Sequence, residues 1–172
     1  LAAGQAANID VVGIIGVGLF GQPANYEEIS KFANAHDLWL IDDAAQSFGA
    51  QWQGRPVGQL ANVTCTSFFP AKPLGAYGDG GAVFTDDDKI ADIMLSCRIH
   101  GMGKDKYENI RFGMTGRLDS MQAVVLDAKL DIFEEELALR QTVADRYQRL
   151  IGDIVDAPRL ADGTTSSWAQ YC

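Results

Sequence analysis

The chain is poor in cysteine, in positive charge and in long apolar stretches, and each shortage removes a class of protein. Its three cysteines, Cys65, Cys97 and Cys172, lie far apart with no C-x-x-C spacing. They outline no disulfide framework and suit a reduced, cytoplasmic compartment. Fourteen basic residues against twenty-three acidic ones leave a net charge of -9. That balance argues against nucleic acid or an anionic membrane as the main partner, with a local basic pocket still open. No apolar run approaches the roughly 20 residues that span a bilayer. The first residues lack the basic-then-apolar layout of a signal peptide. There is no initiator Met: the chain opens on Leu1-Ala2-Ala3 and stops at Trp168-Ala169-Gln170-Tyr171-Cys172, which reads as the start of a strand. An internal fragment of a longer protein is expected. A G-x-G-x-x-G phosphate loop is also missing, because Gly13, Gly16 and Gly18 do not fit its spacing; this speaks against a simple nucleotide-binding α/β module.

What is present is an ordinary globular balance, 47% hydrophobic and 22% charged over 172 residues, enough for one domain with a real core. Residues 9–19 are apolar, β-branched and broken by glycine, and read as a buried strand with its exit turn. Asn25 is placed to cap a helix, with Glu28 as its capping-box partner, ending near His36-Asp37. Leu38-Trp39-Leu40-Ile41 is a short strand with Asp42-Asp43 at its carboxyl end. Strand, helix, strand at this spacing predicts a βαβ unit in a parallel sheet, where ligands bind at the carboxyl ends of strands. Val63 to Phe69 and Gly81 to Thr85 read as further strands. Asp86, Asp87 and Asp88 open a helix to about Arg98; three carboxylates there serve the helix dipole, with a metal site as the less favoured reading. Segment 101–117 reads as a mobile or partner-covered loop. From Leu118 to Ile151 one long helix or two abutting ones are expected, packed on the sheet along Leu118, Met121, Val125, Ala128, Ile132 and Glu136.

Between the third and fourth strands lies Phe69-Pro70-Ala71-Lys72-Pro73-Leu74-Gly75, a Pro/Gly turn with one lysine among apolar residues. Apolar surroundings favour a neutral amine, and a neutral amine can attack a carbonyl. An ordinary loop lysine fits this turn as well. Asp43, Gln46, Ser67 and Lys72 nevertheless fall on one edge of one sheet. A pyridoxal phosphate site needs such a set: a lysine for the aldehyde, a carboxylate for the pyridine nitrogen, hydroxyls and N–H groups for the phosphate. Taken singly, Asp43 could be a strand-end cap, Gln46 a surface residue and Ser67 a satisfied strand hydroxyl.

The runs Ile41-Asp42-Asp43-Ala44-Ala45-Gln46-Ser47-Phe48-Gly49-Ala50, Ser67-Phe68-Phe69-Pro70-Ala71-Lys72 and Gly75-Ala76-Tyr77-Gly78-Asp79-Gly80-Gly81 resemble the signature of the DegT/DnrJ/EryC1/StrS nucleotide-sugar aminotransferases. The likeness continues through Leu19-Phe20-Gly21-Gln22-Pro23-Ala24 and Arg117-Leu118-Asp119-Ser120-Met121-Gln122-Ala123. It is strongest toward bacterial enzymes that aminate a UDP-linked 3-keto sugar, such as the uronic acid transaminases of O-antigen synthesis. The resemblance implies an α/β fold, the large domain of a fold-type I aminotransferase, with a mostly parallel mixed sheet flanked by helices. It implies that residues 1–152 form the C-terminal half of that domain with its connecting helix, and 153–172 a connector and the start of a truncated small domain. It further implies pyridoxal 5'-phosphate as cofactor, glutamate as amino donor, and a cytoplasmic homodimer with a shared active site.

By the same resemblance Lys72 is the Schiff-base lysine and proton shuttle, Asp43 the partner of the pyridine nitrogen, Gln46 a contact to the phenolic oxygen and Ser67 a phosphate ligand. Thr115 stands where the family commonly has an Asn that reaches the neighbouring subunit's phosphate; its hydroxyl is a shorter substitute. Arg117 is placed near the dimer interface and the anionic substrate. Related dehydratases carry histidine in place of the lysine, so Lys72 favours transamination. The competing expectations are a non-catalytic fragment or a nucleotide-binding α/β module.

Overall fold

The computed structural model describes residues 1–105 and 107–172; of the 101–117 loop, Lys106 lies outside the described residues. A short helix α1 (Ala2–Ala6) precedes strand β1 (Gly13–Val17), helix α2 (Tyr26–Ala35) and strand β2 (Trp39–Asp43). A small hairpin, β3 (Gln51–Trp52) and β4 (Arg55–Pro56), leads to β5 (Val63–Ser67) and β6 (Gly81–Phe84). Helix α3 (Asp88–Arg98) and the long helix α4 (Ser120–Ile151) follow. The main sheet runs β1-β2-β5-β6, parallel except for the last pair. Helix α2 is the crossover between β1 and β2, as the sequence predicts. No described helix is long and apolar enough to cross a membrane.

Local chemistry explains the boundaries. The Asn25 side chain accepts from the Glu28 N–H at 3.2 Å and starts α2, and Glu27 and Glu28 in its first turn suit the helix dipole. Asp87 caps α3 by accepting from the Lys89 and Ile90 N–H groups. Asp88 lies in the first turn of α3, where a carboxylate suits the helix dipole; among the described residues no group of three or more His, Cys, Asp and Glu could hold a metal.

The core lies on one face of the sheet. Tyr26 and Ala33 of α2 pack with Leu40, Ala44, Ala50, Val57 and Leu60. A second cluster joins Phe68, Leu74 and Ala76 to Leu126 and Phe133 of α4, with Phe48 packed against it. Phe48 stacks between Phe84 and Phe133, with ring centroids 6.0 and 5.9 Å away.

Three expectations are corrected. The first strand is not buried: it shortens to Gly13–Val17, and Ile15 and Val17 are 59% and 45% exposed. It is a sheet edge, and α2 covers only the opposite face. Helix α4 packs through a different stripe: Leu126, Phe133 and Ala144 are buried, whereas Met121 and Ile132 are exposed. Apolar residues occur on several faces of this helix, and the narrow contact with the second cluster selects the 126/133 row. Residues 168–172 form no strand. The segment folds back as a strap instead, with the Thr165 N–H bonded to Gln51 O and the Ser167 N–H to Gly21 O. The 101–117 loop is tied down by bridges Ile99↔Thr115 and Met102↔Asn109.

Candidate active site

The parallel register sets the site. Asp43 closes β2 opposite Cys65 of β5, and Ser67 ends β5 two residues later. Alternation along a strand puts Asp43, Cys65 and Ser67 on one face and Asp42, Thr64 and Thr66 on the other. Burial follows that division: Leu40, Asp42, Thr64 and Thr66 are buried, and Ile41, Asp43, Cys65 and Ser67 are half-buried. Asp43 Oδ1 accepts the Ala45 N–H at 3.0 Å, which turns the chain sharply after β2. Ser67 Oγ accepts the Phe69 N–H at 3.3 Å and does the same after β5.

The lysine turn is pinned from both sides. The Lys72 N–H bonds to Phe69 O, the Ala76 N–H to Phe68 O, and the Phe68 N–H to Gly80 O, each at 2.8 Å. Pro73, Leu74, Gly75 and Ala76 are buried, and Lys72 is half-buried at their edge. Gly75 is needed for close approach, since a Cβ there would lie 2.5 Å from Pro70 O. Helix α4 holds the far side: Gln122 Oε1 accepts the Tyr77 N–H at 2.9 Å, and Lys129 Nζ donates to Gly75 O at 2.6 Å.

Gln46 sits in the turn after Asp43. Its Oε1 accepts the Phe20 N–H at 2.8 Å, with Phe20 in the left-handed region at φ 61°. Its carbonyl accepts from Ser167 Oγ at 2.5 Å. The amide oxygen being occupied, the NH2 group is left to donate elsewhere. Thus Asp43 and Gln46 lie at the carboxyl end of β2 and in the turn after it, and Ser67 and Lys72 at the carboxyl end of its neighbour β5 and in the turn after it. Thr115 and Arg117 stand apart on the exposed loop before α4, and no contact among the described residues links them to the four.

Each of the four keeps one group unpaired among the described residues: Lys72 Nζ, Asp43 Oδ2, the Gln46 NH2 and the Ser67 hydroxyl proton. An amine, a carboxylate oxygen, an amide donor and a hydroxyl donor match the aldehyde, protonated ring nitrogen, phenolate and phosphate of pyridoxal phosphate. The residues present fit that group. Electrostatics is local: burial, followed by the Asp43 charge, pushes the Cys65 thiol above its ordinary value. A cavity of about 1040 Å³ between β6, α3 and residues 114–118 is lined by Phe84, Met94, Leu95 and Met114; it includes none of the four residues.

Several side chains around the site escape sequence reasoning. Gln122 and Lys129 brace the lysine turn, and their spacing of seven on a helix is the signal that would reveal them. Ser167 and the Phe20 N–H orient Gln46 through long-range contacts that no local pattern shows.

The DegT/DnrJ/EryC1/StrS aminotransferase family matches residues 4–172. The chain is 46% identical over 159 residues to the UDP-2-acetamido-2-deoxy-3-oxo-D-glucuronate aminotransferase of Pseudomonas aeruginosa, covering 92% of this chain and 44% of that protein. The structure superposes with TM-score 0.96 on a DegT DnrJ EryC1 StrS aminotransferase from Brucella abortus, at 44% identity, covering 99% of this chain and 46% of the other. It also matches NtdA of Bacillus subtilis, solved with its cofactor PMP bound, with TM-score 0.83 and 26% identity over 93% of this chain and 37% of NtdA. The chain therefore spans a little under half the length of the curated relative. The fold is that of the fold-type I aminotransferases. On matches of this extent, the chain belongs to the DegT/DnrJ/EryC1/StrS aminotransferase family.

Proposed function

We propose that the whole protein is a pyridoxal phosphate-dependent aminotransferase that moves an amino group from glutamate to a keto sugar carried on UDP, in bacterial surface-polysaccharide synthesis. The observation that carries this reading is the unpaired Lys72 amine on the same sheet edge as Asp43, Gln46 and Ser67, each with one free group of the right kind. Bound there, the cofactor supplies an aldehyde for the amine and a ring that draws electrons from the substrate carbon. Lys72 would hold the cofactor through its amine, and the free amine would move a proton as a general base and acid. Asp43 would hold the proton on the ring nitrogen. Gln46 would donate from its NH2 to the phenolic oxygen, its amide oriented by the Phe20 N–H. Ser67 would donate a hydrogen bond to the phosphate.

The reading places Thr115 and Arg117 toward a second subunit and its substrate in a cytoplasmic homodimer. The loop that carries Thr115 supports this, since it exposes Ile110, Phe112 and Met114 together. Residues 1–152 are proposed as part of the cofactor-binding domain and 153–172 as the passage toward a small domain.

The test is chemical. Borohydride treatment of the cofactor-loaded whole protein is expected to fix the cofactor on the peptide containing Lys72, and Lys72→Ala to abolish both labelling and glutamate-dependent turnover. Retention of both by Lys72→Ala overturns the assignment.

A further inference from the structure

Asp42 is the one carboxylate that is wholly buried beside the site, at 0% exposure, and no step described above uses it. Its Oδ1 lies 2.5 Å from the Tyr26 hydroxyl, and its Oδ2 accepts from the Thr64 hydroxyl at 3.4 Å. The same Tyr26 hydroxyl lies 3.0 Å from Gly16 O on β1. Gly16 permits this approach, since a Cβ there would stand 2.9 Å from the hydroxyl. No lysine or arginine pairs with Asp42 among the described residues; the single ion pair there is Lys31–Glu27 on the surface.

Burial without a cation decides the state of this group. The Tyr26 hydroxyl has one proton and two oxygen neighbours at hydrogen-bonding distance, and Gly16 O also lies in the parallel ladder facing the Asp43 N–H. A 2.5 Å separation suits either donor, so distance does not choose. If Asp42 is ionised, a fully buried anion is left without a cation, which is costly. If Asp42 is the neutral acid, every group is satisfied: Asp42 Oδ1–H donates to Tyr26, Tyr26 donates to Gly16 O, and Thr64 donates to Oδ2. We propose that Asp42 is held as the neutral acid by the Gly16–Tyr26–Thr64 arrangement, leaving Asp43 as the single negative charge at the carboxyl end of β2.

The groups facing Asp42 are Tyr26 from α2, Thr64 from β5 and the Gly58 N–H from the loop after β4. The hydroxyls and the N–H favour the ion, and neighbouring Asp43 disfavours it; burial is the largest influence and raises the proton affinity. Two adjacent carboxylates that both ionise repel, and each then holds protons more tightly. A neutral Asp42 adds no second charge beside Asp43. Its hydrogen bonds tie α2 to β2 and β5. Its effect on a bound ring rests on the proposed cofactor site, whereas its own protonation does not.

Infrared spectroscopy of the whole protein tests the protonation without cofactor. At pH 7 we expect a protonated-carboxyl stretch that moves on 13C labelling of aspartate and is lost in Asp42→Asn. Tyr26→Phe, which keeps Asp42 but removes its acceptor, should shift the band to higher frequency. Absence of the band, its survival in Asp42→Asn, or no shift in Tyr26→Phe overturns the proposal. In the cofactor-loaded protein, Asp42→Asn should leave the midpoint of the ring's spectral pH titration unchanged, and a displaced midpoint shows that Asp42 carries charge. Failure to bind cofactor would count against the proposed function alone, since the infrared result stands by itself.

Discussion

Replacing Lys129 by Met removes one charged group and keeps an apolar stem of similar length. In the structure Lys129 Nζ donates to Gly75 O at 2.6 Å and lies 5.3 Å from the centroid of the Tyr77 ring. A hydrogen bond from a charged donor is worth about 1.5–3 kcal/mol, and a cation over an exposed aromatic ring about 0.5–1 kcal/mol. Lys129 is half-exposed, so the lower end of each range applies, and the two sum to about 2 kcal/mol. That corresponds to roughly 30-fold in the ratio of folded to unfolded protein. Urea unfolding of the whole protein should therefore show a lowered midpoint at unchanged slope. Lys129→Arg, which keeps the charge, should recover part of the loss. The carbonyl released belongs to Gly75, three residues after Lys72, so under the proposed function Lys129→Met should also slow covalent attachment of the cofactor. An unchanged midpoint in Lys129→Met would show that α4 does not brace the lysine turn.

Three further outcomes are expected. Phe133→Ala empties the centre of the second core cluster, where Phe133 is 7% exposed and stacked on Phe48; unfolding measurements should show a loss of about 3–5 kcal/mol, and a loss under about 1 kcal/mol would mean that α4 is loosely attached. Gly18→Ala sets a Cβ 2.1 Å from the Oγ of fully buried Ser47; it should lower the melting temperature, and adding Ser47→Gly should restore it, whereas failure of that rescue places the strain elsewhere. Cys65 is held above the ordinary thiol value by burial and by the charge of Asp43, so a maleimide should label exposed Cys172 first and Cys65 only as pH rises beyond that value; equal rates at neutral pH refute the environment drawn for Cys65.

Local signals in the chain carry the fold well where one face of an element is covered and poorly where it is not. Asn25 and Asp87 announce α2 and α3 because capping needs only residues two or three positions apart. The βαβ unit is legible because its strands and crossover are contiguous. Strand β1 misleads, because an apolar β-branched run looks the same at a sheet edge as in its middle. Helix α4 misleads for a related reason: with apolar residues on several faces, periodicity alone cannot say which row meets Phe48 and Phe68. The strap at 164–170 is held by main-chain bonds to Phe20, Gly21 and Gln51, and bonds between backbone groups over a hundred residues apart leave no mark in the sequence.

The two aspartates that end β2 show how far such reading extends. Period-two alternation requires Asp42 and Asp43 to face opposite sides of the sheet, whichever is functional. Leu38, Trp39, Leu40 and Ile41 are all apolar, so alternation alone does not say which parity is buried; the structure does, with Leu40 at 4% and Asp42 at 0% exposure. What alternation cannot supply is the reason a carboxyl group is tolerated in the core at all. That reason is Tyr26, sixteen residues earlier on α2, and Thr64, twenty-two residues later on β5. A slip of one residue in the register of β2 would exchange the faces of the two carboxyl groups and turn Asp43 into the core. The Tyr26–Asp42–Thr64 contacts oppose that slip, and in doing so they hold Asp43 on the face that it shares with Ser67.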